Sequence, residues 1–218
     1  MLEAQASTEV NSLPQKTVAV IDYGLGNVAS VLGAIEKVGH VGVLTKEKDK
    51  ILSSDVAILP GVGAFGDGMR NLRETGLVDI IYQYALDMKK PFLGICLGMQ
   101  LMASRGREFG ENIGLNLIHG EVVPLNIGGG LRKIHMGWND LSVKDGEPLF
   151  IDLEHPVVYF VHGYHFILDN QDMEIAYTEY GSKVTAGIKR GNIVGLQFHP
   201  EKSQKDGLKI LKNFIESC

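Results

Sequence analysis

The chain has 218 residues, with 44% hydrophobic and 22% charged side chains and a formal net charge of −5. This length fits one large domain, since single hydrophobic cores grow to about 250 residues, and the ordinary composition argues against an intrinsically disordered chain. The acidic charge gives no basis for nucleic-acid binding, and no apolar run reaches the roughly 18 residues of a membrane span.

Residues 1–16 lack the features of a targeting sequence. They are polar and include Glu3 and Glu9, so they have neither the apolar centre of a signal peptide nor the acid-poor character of a transit peptide. We interpret them as a flexible N-terminal extension or a cloning remnant.

Of the two cysteines, Cys218 is the last residue. A lone internal Cys96 is more typical of a cytoplasmic protein than of a disulfide framework.

The first half of the chain alternates strand and helix signals. Short β-branched, apolar runs end at glycine turns, and the segments between them repeat apolar residues at helical spacing. The predicted strands are residues 17–22, 40–45, 55–59 and 91–95, and the predicted helices are residues 27–38, residues 68–87 and one that starts at or just after Cys96. Near-continuous apolar strands separated by helices indicate a parallel sheet covered on both faces.

After about Gly114 the strands become shorter and follow one another directly. They are predicted at residues 120–125, 131–134, 157–161, 175–178, 184–189 and 193–197, with turns at 128–130, 139–140 and 144–146 and a terminal helix at 207–217. We expect antiparallel additions to the same sheet. The predicted fold is therefore α/β, with an open, mostly parallel central sheet, helices on both faces and antiparallel additions in the C-terminal half.

Two glycine patterns resemble a dinucleotide fingerprint. Gly24-x-Gly26-x-x-Ala29 and Gly61-x-Gly63-x-x-Gly66 both follow predicted strands. Two such hits in a chain with 27 glycines show how weak the pattern is, and neither continues into a Walker Gly-Lys-Ser/Thr. A non-catalytic dinucleotide-binding module stays an alternative, and no cofactor is expected.

Cys96 lies between a predicted strand and a predicted helix, with Gly94 and Gly98 two residues away on either side. This is the nucleophile-elbow pattern with cysteine in place of serine, where a sharp turn requires small neighbours. A helix N-terminus favours a thiolate, and the N–H of Leu97 is suited to stabilise an oxyanion. The alternative is a buried, inert cysteine, which most free cysteines are.

His199 is the preferred partner for this thiol among seven histidines, because it follows the strand at 193–197. Sites in open α/β sheets lie at the carboxyl ends of the strands. Pro200 stiffens the next step, so that Glu201 can orient the imidazole. The alternative for Glu201 is a solvated turn residue.

The pair His162-x-x-His165 suggests a metal site, but two side chains at this spacing on one strand point to opposite faces. No cysteine or carboxylate cluster accompanies them, so we expect stacked or hydrogen-bonded histidines and no metal.

These motifs resemble the class I, triad-type glutamine amidotransferases, and within them the glutaminase subunits of imidazole glycerol phosphate synthase. The resemblance runs from about Val18 to the C-terminus and implies one amidotransferase domain at residues 17–218. The segments that carry it are Gly94-Ile-Cys-Leu-Gly-Met-Gln100, Phe198-His-Pro-Glu201, Asp22-Tyr-Gly-Leu-Gly-Asn27, Leu59-Pro-Gly-Val-Gly-Ala-Phe-Gly66, His135-Met-Gly-Trp-Asn139 and Tyr159-Phe-Val-His162.

The resemblance implies that Cys96, His199 and Glu201 hydrolyse the side-chain amide of glutamine through a thioester. It implies an oxyanion site formed by the backbone of Leu97 and of Val62 or Gly63, in a turn at 60–63 that must rearrange. Gln100 and Glu108 match positions that hold the α-amino and carboxylate ends of the substrate. Gly163 stands where relatives carry Ser or Thr, which is tolerated if that position binds glutamine through its backbone.

The resemblance also implies a heterodimer with a (β/α)8-barrel cyclase that receives the ammonia and activates the glutaminase. Asn27 and Lys202 match positions near that interface. Gly163 and His165 leave open a paralogous amidotransferase that feeds ammonia to a sugar-modifying synthase, for example in surface-polysaccharide synthesis. A cysteine peptidase or other hydrolase on a similar fold is a further alternative.

Overall fold

The computed structural model describes residues 14–126 and 133–217. Its strands are β1 Thr17–Ile21, β2 Val41–Thr45, β3 Val56–Leu59, β4 Phe92–Ile95, β5 Arg105–Gly106, β6 Asn112–Ile113, β7 Gly120–Pro124, β8 His135–Asp140, β9 Ser142–Val143, β10 Val157–His162, β11 Tyr164–Leu168, β12 Glu174–Glu179, β13 Lys183–Arg190 and β14 Ile193–Leu196. Its α-helices are α1 Val28–Lys37, α2 Lys48–Ser53, α3 Phe65–Glu74, α4 Leu77–Tyr82, α5 Leu97–Leu101 and α6 Gln204–Glu216. Over these two ranges, no helix combines the length and apolar character needed to cross a membrane.

The central sheet has the strand order β2-β1-β3-β4-β14-β13-β12-β9. The pairings from β2 to β14 are all parallel, and those from β14 to β9 are all antiparallel. The predicted mostly parallel sheet with C-terminal antiparallel additions is therefore confirmed. In register, β14 follows β4 from Ile193 opposite Phe92 to Leu196 opposite Ile95, so the two strands end side by side.

Helices cover both faces of this sheet. On β1, Val18 and Val20 pack in one cluster with α1 and α6, while Ala19 and Ile21 pack in a second cluster with α3 and α4. The strand residues therefore alternate between two apolar environments, which explains why their sequences read as continuous apolar runs.

Not every later strand joins the central sheet. β8 and β10 form a separate two-stranded sheet, and β11, β7, β5 and β6 form a separate four-stranded sheet, so the expectation of additions to one sheet was wrong in part. The chain passes from one small sheet to the other at Gly163, which lies between the end of β10 and the start of β11. Asn139 and Asp140, predicted as a turn, are the last residues of β8 and pair with β10.

The predicted helix at 68–87 was also wrong as a single element. α3 starts at Phe65, and Gly76 interrupts the helix with a φ of 69°, a left-handed conformation that glycine adopts readily. α4 and a π-helical turn, Gln83–Asp87, follow. The helix α2 was not predicted, and α6 starts three residues before its predicted start at 207.

Some predictions fall on segments that the structure does not describe. The turn at 128–130 and the first half of the strand at 131–134 lie outside the described residues, as do residues 1–13 and Cys218. At the end of the predicted N-terminal extension, the N–H of Lys16 donates a hydrogen bond to Nδ1 of His40 at 3.2 Å.

The turn from β4 into α5 depends on two glycines. A Cβ atom at Gly94 would lie 2.7 Å from the carbonyl group of Gly98. One at Gly98 would overlap with the carbonyl oxygen of Leu59 on the neighbouring strand β3. The backbone around Cys96 is therefore packed too closely for any side chain at these two positions.

We predict that Gly98→Ala destabilises the fold by about 3 kcal/mol or more, because the new methyl group meets backbone that cannot move away. Gly33→Ala in α1 is the matched control, since no atom lies within 4 Å of its Cβ position. That variant should be neutral or stabilising by up to about 1 kcal/mol. Urea unfolding measures both, and equal stability of the two variants would contradict the packing argument.

Candidate active site

Cys96 occupies the turn between β4 and α5. Its φ of 54° and ψ of −109° are unusual for a residue with a side chain, and its N–H donates a hydrogen bond to the carbonyl of Leu196 at 2.7 Å. Strained backbone of this kind persists where the surrounding packing fixes it, and it is common at functional sites. The first N–H groups of α5, including that of Leu97, have no partner within the helix.

His199 and Glu201 form a close, buried pair. Nδ1 of His199 and Oε1 of Glu201 are 2.7 Å apart, and both side chains are only 2% exposed. The 3-10 turn Pro200–Lys202 directs the carboxylate back to the imidazole two residues earlier. Because the carboxylate accepts, Nδ1 carries the proton and Nε2 is left for another partner.

The environment of His199 favours its protonated form. Burial lowers the pKa of His199, but the neighbouring sulfur of Cys96 and then the carboxylate of Glu201 raise it by more, to about 9. Nε2 is buried and forms no hydrogen bond of normal geometry with any described residue. Facing the thiol, it can share a proton with the sulfur, as in a thiolate–imidazolium pair.

A cavity of about 650 Å³ opens onto Cys96. It brings together most of the residues that the sequence singled out. Those that line it are Val62, Gly63, Cys96, Leu97, Gln100, Glu108, Gly163 and Lys202. Asn27 does not line this cavity, and lies at the N-terminus of α1. His199 and Glu201 do not line this cavity, and Glu201 lines a second, smaller cavity together with Lys202.

Two residues predicted to bind substrate are tied to the surrounding backbone. Nε2 of Gln100 donates to the carbonyl of Tyr164 at 3.1 Å, which leaves its Oε1 as the atom available to a ligand. Oε2 of Glu108 accepts from the N–H of Phe65, the first residue of α3, at 2.7 Å. Both side chains therefore offer oxygen atoms to the cavity, as an ammonium group requires.

The turn at 60–63 forms another wall of the cavity. Its first carbonyl, that of Pro60, accepts a hydrogen bond from Oη of the buried Tyr23 at 2.8 Å. Gly61 has no room for a side chain, since a Cβ would lie 2.8 Å from that of Leu97. Gly63, in contrast, has a φ of 114° and open space around its Cβ position. The turn is thus fixed at Gly61 and unconstrained at Gly63.

The two histidines of His162-x-x-His165 lie on different strands, whereas the sequence interpretation placed them on one. His162 ends β10 and His165 belongs to β11, with Gly163 between the strands. Nδ1 of His162 donates to the carbonyl of Tyr164 at 2.8 Å, which confirms a hydrogen-bonded histidine. Over residues 14–126 and 133–217, no group of three or more His, Cys, Asp or Glu side chains could hold a metal ion.

Sequence reasoning missed Gln197, which is fully buried behind the nucleophile. Its Oε1 accepts from Nε2 of Gln100 at 3.0 Å, and its Nε2 lies 3.8 Å from Sγ of Cys96. The available signal was a lone amide in the otherwise apolar run Ile193 to Phe198.

The comparisons of this chain with known proteins agree on one family. The model of the family "Glutamine amidotransferase class-I" matches residues 19–218. The chain is 46% identical to the imidazole glycerol phosphate synthase subunit HisH of Sulfurimonas denitrificans, over 91% of this chain and 97% of that protein. It is 48% identical to the protein of the same name from Carboxydothermus hydrogenoformans, over 90% and 98% of the two chains.

Solved structures support the fold. The structure of PurLQS from Thermotoga maritima matches with a TM-score of 0.73 and 21% identity, over 94% of this chain and 99% of that one. A glutamine amidotransferase from Thermotoga maritima matches with a TM-score of 0.62 and 19% identity, over 94% of this chain and 98% of that one.

We predict that Glu201→Gln lowers the pKa of His199 from about 9 to about 8 or below, because it removes a hydrogen-bonded negative charge. NMR titration of the imidazole measures this. His162 is an internal control, since burial lowers its pKa to about 3 and it should stay neutral throughout. An unchanged pKa of His199 in the variant would show that Glu201 does not set its charge.

The raised pKa of His199 also makes the stability of the fold depend on pH. An unfolded histidine titrates near 6.5, so the raised pKa means that protonated His199 stabilises the fold. This contribution is complete below pH 6.5 and is lost as the pH rises through 9.

Proposed function

This chain belongs to the class-I glutamine amidotransferase family, and from that premise we propose that it is the glutaminase subunit of an imidazole glycerol phosphate synthase in histidine biosynthesis. Residues 17–218 act as one amidotransferase domain, and the enzyme works in the cytoplasm, where thiols stay reduced. The observation that carries the proposal is the buried Glu201–His199 pair behind a strained Cys96 that opens onto a cavity.

In the proposed reaction the thiolate of Cys96 attacks the side-chain amide carbon of glutamine. The carbonyl oxygen gains negative charge, which N–H groups of Leu97 and of the turn at 60–63 stabilise. Protonated His199 then donates its proton to the departing nitrogen, so that ammonia leaves and a thioester remains. Glu201 keeps the imidazole oriented and stabilises its positive charge.

Water hydrolyses the thioester in the second half of the reaction. After its proton has left with ammonia, His199 is neutral and can accept a proton from the attacking water through Nε2. The tetrahedral intermediate collapses to the thiolate and the γ-carboxyl group of glutamate, which releases its remaining proton to solvent. The proton that His199 gained restores the imidazolium, and its pKa of about 9 keeps that form populated at neutral pH.

The polar groups of the cavity suit the amino-acid end of glutamine. Oε1 of Gln100 and the carboxylate of Glu108 are acceptors for the α-ammonium group. Gly163 binds the substrate through its backbone. Its Cβ position lies 3.4 Å from the carbonyl oxygen of Lys133, an ordinary contact, so the missing hydroxyl reflects no steric exclusion.

The conformation of the turn at 60–63 determines whether the oxyanion site is complete. Either the N–H of Val62 or that of Gly63 completes the oxyanion site after rearrangement of the turn. The unhindered Gly63 can change its φ and ψ angles at low cost, whereas Gly61 is held against Leu97. We expect Cys96 to be poorly active until a partner sets this turn.

The partner is a (β/α)8-barrel synthase subunit that receives the ammonia. Asn27 and Lys202 contribute to its interface, and Lys202 also lines the Cys96 cavity. On β8, which pairs with β10, two large apolar side chains are exposed, Met136 at 60% and Trp138 at 49%. Aromatic and methionine side chains are enriched at protein interfaces, so this strand suits the same docking face.

We predict that glutamate release from glutamine rises at least about tenfold when the organism's barrel cyclase and its nucleotide ligand are added. Cys96→Ala should lower the stimulated rate by about a thousandfold or more, because no other group forms the thioester. A coupled glutamate assay measures both. No stimulation by the cyclase would contradict the histidine-pathway assignment and favour a paralogous sugar amidotransferase, and activity without Cys96 would contradict the mechanism.

Gly163→Ser should leave the KM for glutamine within about twofold of the wild-type value and leave the Tm unchanged. The reason is that the Cβ atom of the new residue meets only ordinary contacts and the backbone does the binding. Steady-state kinetics on the complex measures this. A KM that falls about tenfold would show instead that a hydroxyl group contributes binding that this chain lacks.

A further inference from the structure

Gln197 is the first residue after β14 and its side chain is completely buried. It lies two positions before His199, on the same strand end that supplies the catalytic imidazole. Its amide contacts both Gln100 and Cys96. A buried amide must have its donors and acceptors matched, so the direction of each contact carries information.

The orientation of this amide follows from its neighbours. Nε2 of Gln100 lies 3.1 Å from the carbonyl oxygen of Tyr164, which can only accept, so this nitrogen is correctly placed. Its second hydrogen points to Oε1 of Gln197 at 3.0 Å. The Oε1 of Gln197 is thereby fixed as the acceptor, and its Nε2 is fixed as the group that faces the sulfur of Cys96.

The carbonyl of Tyr164, which determines the orientation of both amides, is held in place by a further hydrogen bond. It accepts a second hydrogen bond from Nδ1 of His162 at 2.8 Å. Burial lowers the pKa of His162 to about 3, so its ring is neutral and Nε2 must accept. Nδ1 of His135 is the donor to that atom at 3.2 Å, and Asn139 lies 3.3 Å from the remaining nitrogen of His135.

We propose that Gln197 is a positioning residue for the glutaminase reaction. It donates a hydrogen bond to the sulfur of Cys96 and holds Gln100 in place to bind glutamine. The inference rests on the proposed function. In this arrangement the thiolate has a donor from Gln197 in addition to the imidazolium of His199.

The length of the contact fits this role. At 3.8 Å, Nε2 makes only a weak bond to a neutral thiol, which is a poor acceptor. The thiol also lies 3.9 Å from the carbonyl of Val161, to which its proton can be directed. Loss of that proton removes the bond to Val161 and turns the bond from Gln197 into a charge-assisted one, which is about twice as strong. The Gln197 contact thus favours the thiolate over the thiol.

Two variants separate the two halves of the proposal. Gln197→Glu keeps an acceptor for Gln100 but replaces the donor to sulfur, and Gln197→Met removes both. Asn213→Leu is the matched control. Asn213 is a buried amide in α6 that donates to the carbonyls of Leu149 and Ile151, away from the Cys96 cavity.

The first readout is alkylation of Cys96 by iodoacetamide at pH 7 in the isolated chain, followed by peptide mass spectrometry that distinguishes Cys96 from Cys218. Both Gln197 variants should react about tenfold more slowly than wild type, the effect of one lost hydrogen bond to a charged group. Asn213→Leu should react at the wild-type rate even though its Tm falls. Wild-type alkylation rates in both folded Gln197 variants would overturn the proposal.

The second readout is glutaminase kinetics with the barrel partner. Gln197→Glu should lower kcat with little change in KM, whereas Gln197→Met should lower kcat and also raise KM, because Gln100 loses its support. An equal fall in kcat for Asn213→Leu would assign the effect to stability and contradict a positioning role. The alkylation test needs neither glutamine nor partner. Therefore absence of wild-type glutaminase activity would count against the proposed function alone.

Discussion

The parallel pairing of β4 with β14 is the constraint on which the rest of the site depends. The two strands end in register, and the N–H of Cys96 donates to the carbonyl of Leu196 at 2.7 Å, just beyond the last paired residues. Parallel strands present their carboxyl ends at one edge of the sheet, and sites in open α/β sheets form there. Residues about a hundred positions apart, Cys96 and His199, thereby share one edge without any contact between their own local sequences.

Because of this pairing, the charged groups of the site come from the carboxyl ends of two strands, β4 and β14. β4 delivers the sulfur on a strained turn, and the end of β14 delivers Gln197, His199 and Glu201 in sequence. Burial alone would keep the imidazole neutral, but the sulfur and the carboxylate raise its pKa to about 9. The imidazolium therefore exists because both strand ends are present. It supplies the proton that an amide leaving group needs.

The sequence predicted much of this because its signals are local. Apolar runs at residues 17–22, 55–59 and 91–95 identify buried parallel strands, and the glycines around Cys96 identify the turn. The separate small sheets were not predicted, because the switch at Gly163 is decided by which strands β10 and β11 pair with. The break at Gly76 was missed for a similar reason. Glycine is tolerated within helices, so the sequence does not show that Gly76 adopts a φ of 69° between α3 and α4. The contacts of Gln197 could not be predicted from the sequence, because they depend on which side chains pack against Cys96 in the folded chain.

The central claim is that Cys96 forms a covalent γ-glutamyl thioester during glutamine hydrolysis. Acid quenching of the active complex during turnover, followed by peptide mass spectrometry, tests it most directly. The account predicts a glutamyl adduct on the peptide that contains Cys96, which disappears when glutamine is exhausted. Steady hydrolysis with no adduct on that peptide, or with an adduct on another residue, would contradict it.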